Sequence, residues 1–337
     1  MKRNWRCIVP TAVITGSGAY VPPSVLTNKE LESVVDTTAD WILSRTGISE
    51  RRIALPHQAT SDLSYPAAKQ AIESAGLQPK DIDAIIVCTV TPDMLFPSTA
   101  CIIQGQLGAQ NAIAFDLGAA CTGFVYGLQL AKQAIESGSW RHVLLVGAET
   151  LSRIVNWQDR NTCVLFGDGA GAAVISAEGQ GPRILGVHLG ADGTAGDVLT
   201  LPAGGSRLPA SPETVNGRRH YVHMNGQEVY KFAVRIVEEA CGQLLAKLGL
   251  DFEDVDYYIP HQANLRIIEG FAKRLKIAPE KIAVNLDRYG NMSSASIPVA
   301  LHEEFGAGRL KTGDKVMLVG FGGGLTWGSC LLEWQVS

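Results

Sequence analysis

GLQPKDIDAIIV, residues 76–87, and GLDFEDVDYYIP, residues 249–260, decide how this chain folds. Each reads as a glycine at a helix end, a short acidic loop and an apolar strand. The two acidic loops stand 254 − 81 = 173 residues apart. Further on, HVLLVG (142–147) and KVMLVG (315–320) repeat at the same offset, 316 − 143 = 173. Two independent matches at one spacing mark a duplication. IAFDL (113–117) and IAVNL (282–286) also read as paired strands, displaced by 282 − 113 = 169, so the second copy gains four residues afterwards in a loop. Apolar strands alternating with helical segments are the pattern of α/β units whose strands are buried on both faces. The repeat therefore predicts two pseudo-twofold-related α/β halves, residues 1–180 and 181–337, layered with a cleft between them.

The composition bounds what such a molecule does. With 337 residues, 46% hydrophobic and 18% charged, the chain can bury a large core, and its net charge of −4 gives no general attraction to nucleic acid or an anionic membrane. An acidic partner would have to meet a local basic patch. The seven cysteines are scattered singly, without a CxxC pair or a close His/Cys set. That argues against a zinc site and a disulfide framework, and suits a reducing cytoplasm. Lys2, Arg3 and Arg6 precede CIVPTAVITGSGAY, but Pro10, Thr11 and Thr15 interrupt the apolar run, so a first strand is the better reading than a signal peptide. No stretch approaches the roughly 20 apolar residues that cross a bilayer. Val21 to Tyr65 and the Gly/Pro/Ser/Arg-rich Leu199 to Tyr221 read as loops that cover a site or make contacts.

Three residues stand where strands give way to helices. Cys121, in DLGAACTGFVYGLQLA (116–131), opens a helix whose apolar positions recur at helical spacing. Unpaired backbone N–H groups there favour an anion, so an accessible thiol can ionise near neutral pH. A small packed cysteine fits the same position. His261, in YYIPHQANLRIIEGFAKRL, ends a strand and has the pKa of an acid–base group, although a structural histidine fits equally. Asn291, in DRYGNMSSASIPVAL, reads alone as a turn former. GFGGGLTWGS (320–329) and GDGAGAA (167–173) contain glycines that would let a ligand approach the backbone. Neither has the context of a nucleotide loop.

Six stretches, DWILSRTGISERR, AACTGFVYGL, NTCVLFGDGAGAAV, PHQANLRI, YGNMSSASIP and GGGLTWGS, together resemble the β-ketoacyl-acyl-carrier-protein synthase III family of the thiolase superfamily, in order and spacing over nearly the whole chain. The resemblance implies a thiolase-like fold, five layers arranged αβαβα, and a Cys-His-Asn set falling on Cys121, His261 and Asn291. It implies that Cys121 takes an acyl group from acyl-CoA, with the backbone N–H groups of Cys121 and Gly323 as oxyanion hole. His261 and Asn291 would then stabilise the carbanion left when malonyl-acyl-carrier protein loses CO2. Phe321 resembles an aromatic residue beside the cysteine. Trp41 and Arg160 match positions that sandwich the CoA adenine, and Arg45 matches another CoA contact. Phe96 matches a residue reaching into the neighbour's acyl pocket in a homodimer. Lys231, Arg266, Lys273 and Arg274 match or adjoin a basic surface for the acidic carrier protein. No cofactor or metal is implied, acyl-CoA being a substrate. A specialised-metabolite condensing enzyme or acyltransferase of the same shape, a non-catalytic acyl-CoA-binding scaffold and a cysteine hydrolase are the competing readings.

Overall fold

A computed structural model describes residues 11–335. Lys2, Arg3, Arg6 and Cys7 lie outside the described residues, as does the start of the apolar run read as the first strand. Among the described residues there are thirteen strands: β1 (Val13–Tyr20), β2 (Val25–Thr27), β3 (Glu50–Arg52), β4 (Ala84–Cys88), β5 (Ile113–Leu117), β6 (His142–Thr150), β7 (Asp168–Ser176), β8 (Arg183–Ala191), β9 (Leu199–Thr200), β10 (His223–Met224), β11 (Tyr257–Pro260), β12 (Lys315–Gly322) and β13 (Thr326–Glu333). The helices are α1 (Asn28–Leu31), α2 (Ala39–Thr46), α3 (Thr60–Ser74), α4 (Thr99–Leu107), α5 (Gly123–Glu136), α6 (Arg160–Cys163), α7 (Pro212–Asn216), α8 (Gly226–Leu248), α9 (Leu265–Leu275), α10 (Leu286–Tyr289) and α11 (Ser296–Ala307).

Nine strands follow the order β11-β12-β13-β8-β1-β7-β6-β4-β5. The order reads alike from both ends: parallel pairs outside (β11 with β12, β4 with β6), antiparallel pairs inside (β12-β13-β8 and β6-β7-β1). The two half-sheets meet at one pair, Val13 opposite Arg183. The matched stretches supply matched strands, β4 with β11 and β6 with β12, as the common offset requires. Gly76 and Gly249, which follow α3 and α8, take left-handed φ of 68° and 69°, the conformation that ends a helix at little cost for glycine.

Among the described residues the second half has no counterpart of β5. Ile282–Leu286 carries one isolated bridge, Tyr258 to Ile282, instead of a strand. The Gln262 amide takes over the pairing: its Nε2 donates to the carbonyls of Pro260 and Ala283 at 2.8 and 3.1 Å, and its Oε1 accepts from the Asn285 N–H at 3.0 Å. With these backbone groups satisfied by a side chain, the chain turns into α10.

Five layers result. The middle one is α5 and α11, whose Phe124, Val125, Leu128, Ile297 and Leu301 pack with Ile86 and Val143 of one half-sheet and Ile259, Val316 and Leu318 of the other. Outside, Leu63, Ala67 and Ala71 of α3 cover Ile85, Leu144 and Val174. Phe232 and Ile236 of α8 with Phe271 of α9 cover Met317, Val319 and Leu331. Each such buried Leu, Ile or Phe contributes roughly 1.5–3 kcal/mol. Gly147 on β6 permits the closest approach of the middle layer, since a Cβ there would come within 2.2 Å of the Ser294 carbonyl oxygen.

The GDGAGAA motif is explained by packing. It enters β7, where the fully buried Asp168 carboxylate accepts from the Ala54 and Ser152 N–H groups and the Ser152 hydroxyl at 2.7, 2.9 and 2.6 Å. Its acidic residue thus ties backbone segments together.

Candidate active site

β5 leads into a 3-10 turn, Ala120–Thr122, and then into α5. Ala120 holds φ at 44°, a left-handed value that a non-glycine residue adopts only when its surroundings fix it. The turn places Cys121, 7% exposed, beneath the N-terminus of a fourteen-residue helix. Gly322 at the end of β12 faces it: a Cβ at Gly322 would lie 2.9 Å from the Cys121 Cβ and 3.2 Å from Sγ, so no larger residue fits. Burial pushes the thiol up to about 12, while the Ser293 side chain and the local backbone pull it down. Burial thus opposes the ionisation that a position at a helix terminus favours.

His261 directly follows β11, fixed by its N–H donating to the Val319 carbonyl at 2.8 Å. Its ring packs edge-to-face on Phe321, with centroids 5.5 Å apart at 70°. It is 1% exposed, its Nδ1 has no partner, and burial lowers its pKa to about 3. The imidazole is neutral at pH 7, with one N–H to donate.

Asn291 is held by its backbone, its N–H donating to Leu165 at 2.8 Å and its carbonyl accepting from Gly167 at 3.0 Å. Its Oδ1 accepts the Ser293 N–H at 2.8 Å. Because a backbone N–H can only donate, the amide oxygen must face it, which leaves the Asn291 NH2 as the free donor.

Cys121, His261 and Asn291 line one cavity of about 710 Å³, with Phe321, Gly322, Trp41, Arg45 and Arg160. The arrangement offers a sulfur nucleophile, two neutral hydrogen-bond donors and a channel to a cationic mouth. Gly226 and Gly322 are the glycines among its lining residues.

Comparisons with known proteins show which family the chain resembles. Residues 115–193 match the family model "3-Oxoacyl-[acyl-carrier-protein (ACP)] synthase III" and residues 245–334 its C-terminal counterpart. A protein of Caldanaerobacter subterraneus subsp. tengcongensis named β-ketoacyl-[acyl-carrier-protein] synthase III is 57% identical over 329 residues, 98% of this chain and 99% of that one. One of the same name from Clostridioides difficile is 54% identical over 325 residues, 96% and 99% of the two chains. The solved 3-oxoacyl-[acyl-carrier-protein] synthase III of Aquifex aeolicus superposes with a TM-score of 0.87 at 46% identity, covering 96% of this chain and 99% of that one. The chain belongs to the 3-oxoacyl-[acyl-carrier-protein] synthase III family. Its fold is the thiolase-like one of that family, and the family is one of acyltransferases.

The remaining positions suggested by likeness to synthase III fall into three places. At the cavity mouth, the Arg160 guanidinium lies 5.1 Å from the centre of the Trp41 ring and also donates to the Asp36 carbonyl at 3.2 Å. A ring between them needs about 7 Å, two contact gaps of about 3.5 Å, so Arg160 must swing outward to admit one. Arg45 is exposed beside them. On the outer face, Arg266 and Lys273 of α9 are exposed, border a shallow groove with Tyr230 and Glu269, and enter no ion pair among the described residues. Lys231 is paired with Glu228 at 2.8 Å and Arg274 with Glu238. Phe96 stands apart from the cavity and is 84% exposed, next to exposed Met94 and Leu95.

Several residues of this synthase III cavity escape a sequence reading. Leu199 and Met224, on the paired strands β9 and β10, and Asn225 and Gln227 form one wall. Leu199–Tyr221 thus begins as part of that wall, as a covering loop should. Glu149, at the end of β6, is 0% exposed and close enough to raise the Cys121 pKa by its charge. A carboxylate closing the otherwise apolar HVLLVGAET was the available signal.

Among the described residues no helix is long and apolar enough to cross a membrane, and no group of His, Cys, Asp and Glu could hold a metal ion.

Proposed function

We propose that this chain is a β-ketoacyl-acyl-carrier-protein synthase III that joins a short acyl-CoA to malonyl-acyl-carrier protein, releasing CoA and CO2. The observation that carries the reading is the convergence of Cys121, His261 and Asn291 on one cavity whose mouth bears Trp41, Arg45 and Arg160.

In this mechanism the Cys121 sulfur attacks the acyl-CoA carbonyl, and backbone N–H groups of Cys121 and Gly323 hold the oxyanion. The CoA thiolate departs and takes a proton from solvent, leaving the acyl group on Sγ. Malonyl-carrier protein enters next, guided by Arg266 and Lys273, with Lys231 and Arg274 adding to the positive surface. Loss of CO2 places charge on its thioester oxygen, which accepts from the neutral His261 and the Asn291 NH2. Neutral donors suit this step because they stabilise the developing charge without surrendering a proton to it. The carbanion then attacks the acyl-cysteine, forming the carbon–carbon bond and freeing Sγ. The reading includes a cytoplasmic location, no cofactor, a division of labour between residues 1–180 and 181–337, and a homodimer in which Phe96 reaches the partner's acyl pocket.

The test is stepwise. Incubation with acetyl-CoA should add one acetyl group to Cys121 by mass spectrometry, and subsequent malonyl-carrier protein should remove it as 3-ketoacyl product. Cys121→Ala should abolish both. Rapid release of free acetate would make the chain a hydrolase, and acetyl transfer to Cys88 or Cys163 would overturn the assigned nucleophile.

A further inference from the structure

Arg51, on β3, is fully buried and enters no ion pair among the described residues, the neighbouring Glu50 carboxylate being taken by Arg52 at 2.9 Å. Burial lowers its pKa to about 10, which leaves it a cation at pH 7. A buried charge without a counter-charge is costly, and an apolar side chain of similar volume would fill the space without that cost. What the guanidinium supplies instead is a rigid fork of donors. Its Nη1 donates to the Leu26 carbonyl at 3.0 Å, and its Nη2 to Asn28 Oδ1 and to the Val164 carbonyl, both at 2.9 Å. The Asn28 amide is set for this bond, since its Nδ2 donates to the Ile48 carbonyl at 2.7 Å and leaves its oxygen to the arginine. One side chain thus ties β2 and α1, in the excursion that also carries Trp41 and Arg45, to the segment just before β7.

That segment is what holds Asn291. The Leu165 carbonyl accepts the Asn291 N–H at 2.8 Å and the Gly167 N–H donates to the Asn291 carbonyl at 3.0 Å, while Val164, Leu165 and Phe166 line the cavity. The Arg51 stem backs the same spot. A Cβ at Gly167 would lie 3.2 Å from the Arg51 Cβ and 2.2 Å from the Tyr289 carbonyl oxygen, and one at Gly290 would lie 3.2 Å from the Arg51 Cβ and 2.8 Å from the Leu165 carbonyl oxygen. Both backbones therefore close on the arginine with no room for side chains. We propose that Arg51 is a positioning residue for Asn291: it fixes residues 164–167 from behind, and through them the amide that donates to the thioester oxygen during CO2 loss. Arg51 itself does not line the cavity. Cys121 is held differently, by the turn after β5 and against Gly322 of β12. The arginine therefore acts on the second half-reaction and not on the first.

This inference rests on the proposed condensation, so two wild-type rates are measured first: acetylation of Cys121 by acetyl-CoA, and single-turnover CO2 release from saturating malonyl-carrier protein by the acetylated enzyme. Without them the functional reading fails, and this role with it. Given both, Arg51→Lys, whose single ammonium cannot span three acceptors, should slow CO2 release by at least about tenfold, because a misplacement of about 1 Å at the reacting atoms costs up to about a hundredfold. Acetylation at saturating acetyl-CoA should stay close to the wild-type rate. The same substitution added to Asn291→Ala should slow CO2 release no further, since the amide it places is already gone. A folded Arg51→Lys protein that releases CO2 at the wild-type rate, that loses both half-reactions equally, or that slows CO2 release as much beside Asn291→Ala as it does alone would overturn the proposal. If Arg51→Lys does not fold, Asn28→Leu, which keeps the arginine and removes one of its acceptors, decides by the same three comparisons.

Discussion

Cys121 and Ser294 occupy the same place in the two halves of the molecule, 294 − 121 = 173 residues apart. Each is the central residue of a 3-10 turn, Ala120–Thr122 and Ser293–Ala295, and each turn feeds a middle-layer helix. Each turn begins with a left-handed residue, Ala120 at φ 44° and Ser293 at φ 46°. The chemistry has diverged where the backbone has not. The Ser294 hydroxyl donates to the Cys88 carbonyl at 2.6 Å and lies 3.0 Å from a Glu149 oxygen, while the Cys121 thiol opens on the cavity. One turn presents a thiol to the cavity and the other ties a hydroxyl into the core.

The second half should then govern decarboxylation more than acyl transfer. His261→Ala or Asn291→Ala should slow CO2 release from malonyl-carrier protein by about a hundredfold or more, the cost of one donor to a developing oxyanion. Acetylation of Cys121 should fall less. Radiolabelled CO2 release and protein mass measured on the same samples separate the two. An Asn291→Ala variant that releases CO2 normally but cannot be acetylated would reverse the assignment.

Buried neutral His261 makes a prediction about acid. Its folded pKa of about 3 lies below the value near 6.5 of an unfolded histidine. The unfolded chain therefore binds a proton that the native one does not, and His261 erodes stability as pH falls from 6.5 toward 3. Between pH 6 and 5 that amounts to about 1 kcal/mol. His261→Gln should lose that much less stability over the interval in urea titrations, and equal losses in both proteins would refute a neutral buried ring.

Arg266 and Lys273 are exposed cations without ion-pair partners among the described residues. Reversing both to Glu should raise KM for malonyl-carrier protein by about tenfold and weaken its dependence on salt. Acetylation by acetyl-CoA, which does not use this face, should be unchanged. Equal damage to both half-reactions would make the face structural.

An exposed run of Met94, Leu95 and Phe96 is costly in water, and the proposed homodimer would cover it. Phe96→Asp should shift the sedimenting species from two chains toward one and change the preferred acyl length. A dimer and a chain-length profile both unaltered would remove Phe96 from either role.

The duplication was legible because it is a property of order along the chain: buried parallel strands need continuous apolar runs, and their spacing survives as a fixed offset. The motifs around Cys121, His261 and Asn291 were legible for a related reason, each lying at a strand-to-helix turn whose small residues are dictated by close packing. What tertiary structure alone decided is which groups meet. Gln262 replaces a strand predicted at Ile282–Leu286. The thiol at a helix terminus is pushed up by its burial, and Glu149 meets the Ser294 hydroxyl of the other half at 3.0 Å. Periodicity records which face of an element is apolar. Exposure, pKa and hydrogen-bond partnership depend on which atoms meet in space, and only the packed layers fix those distances.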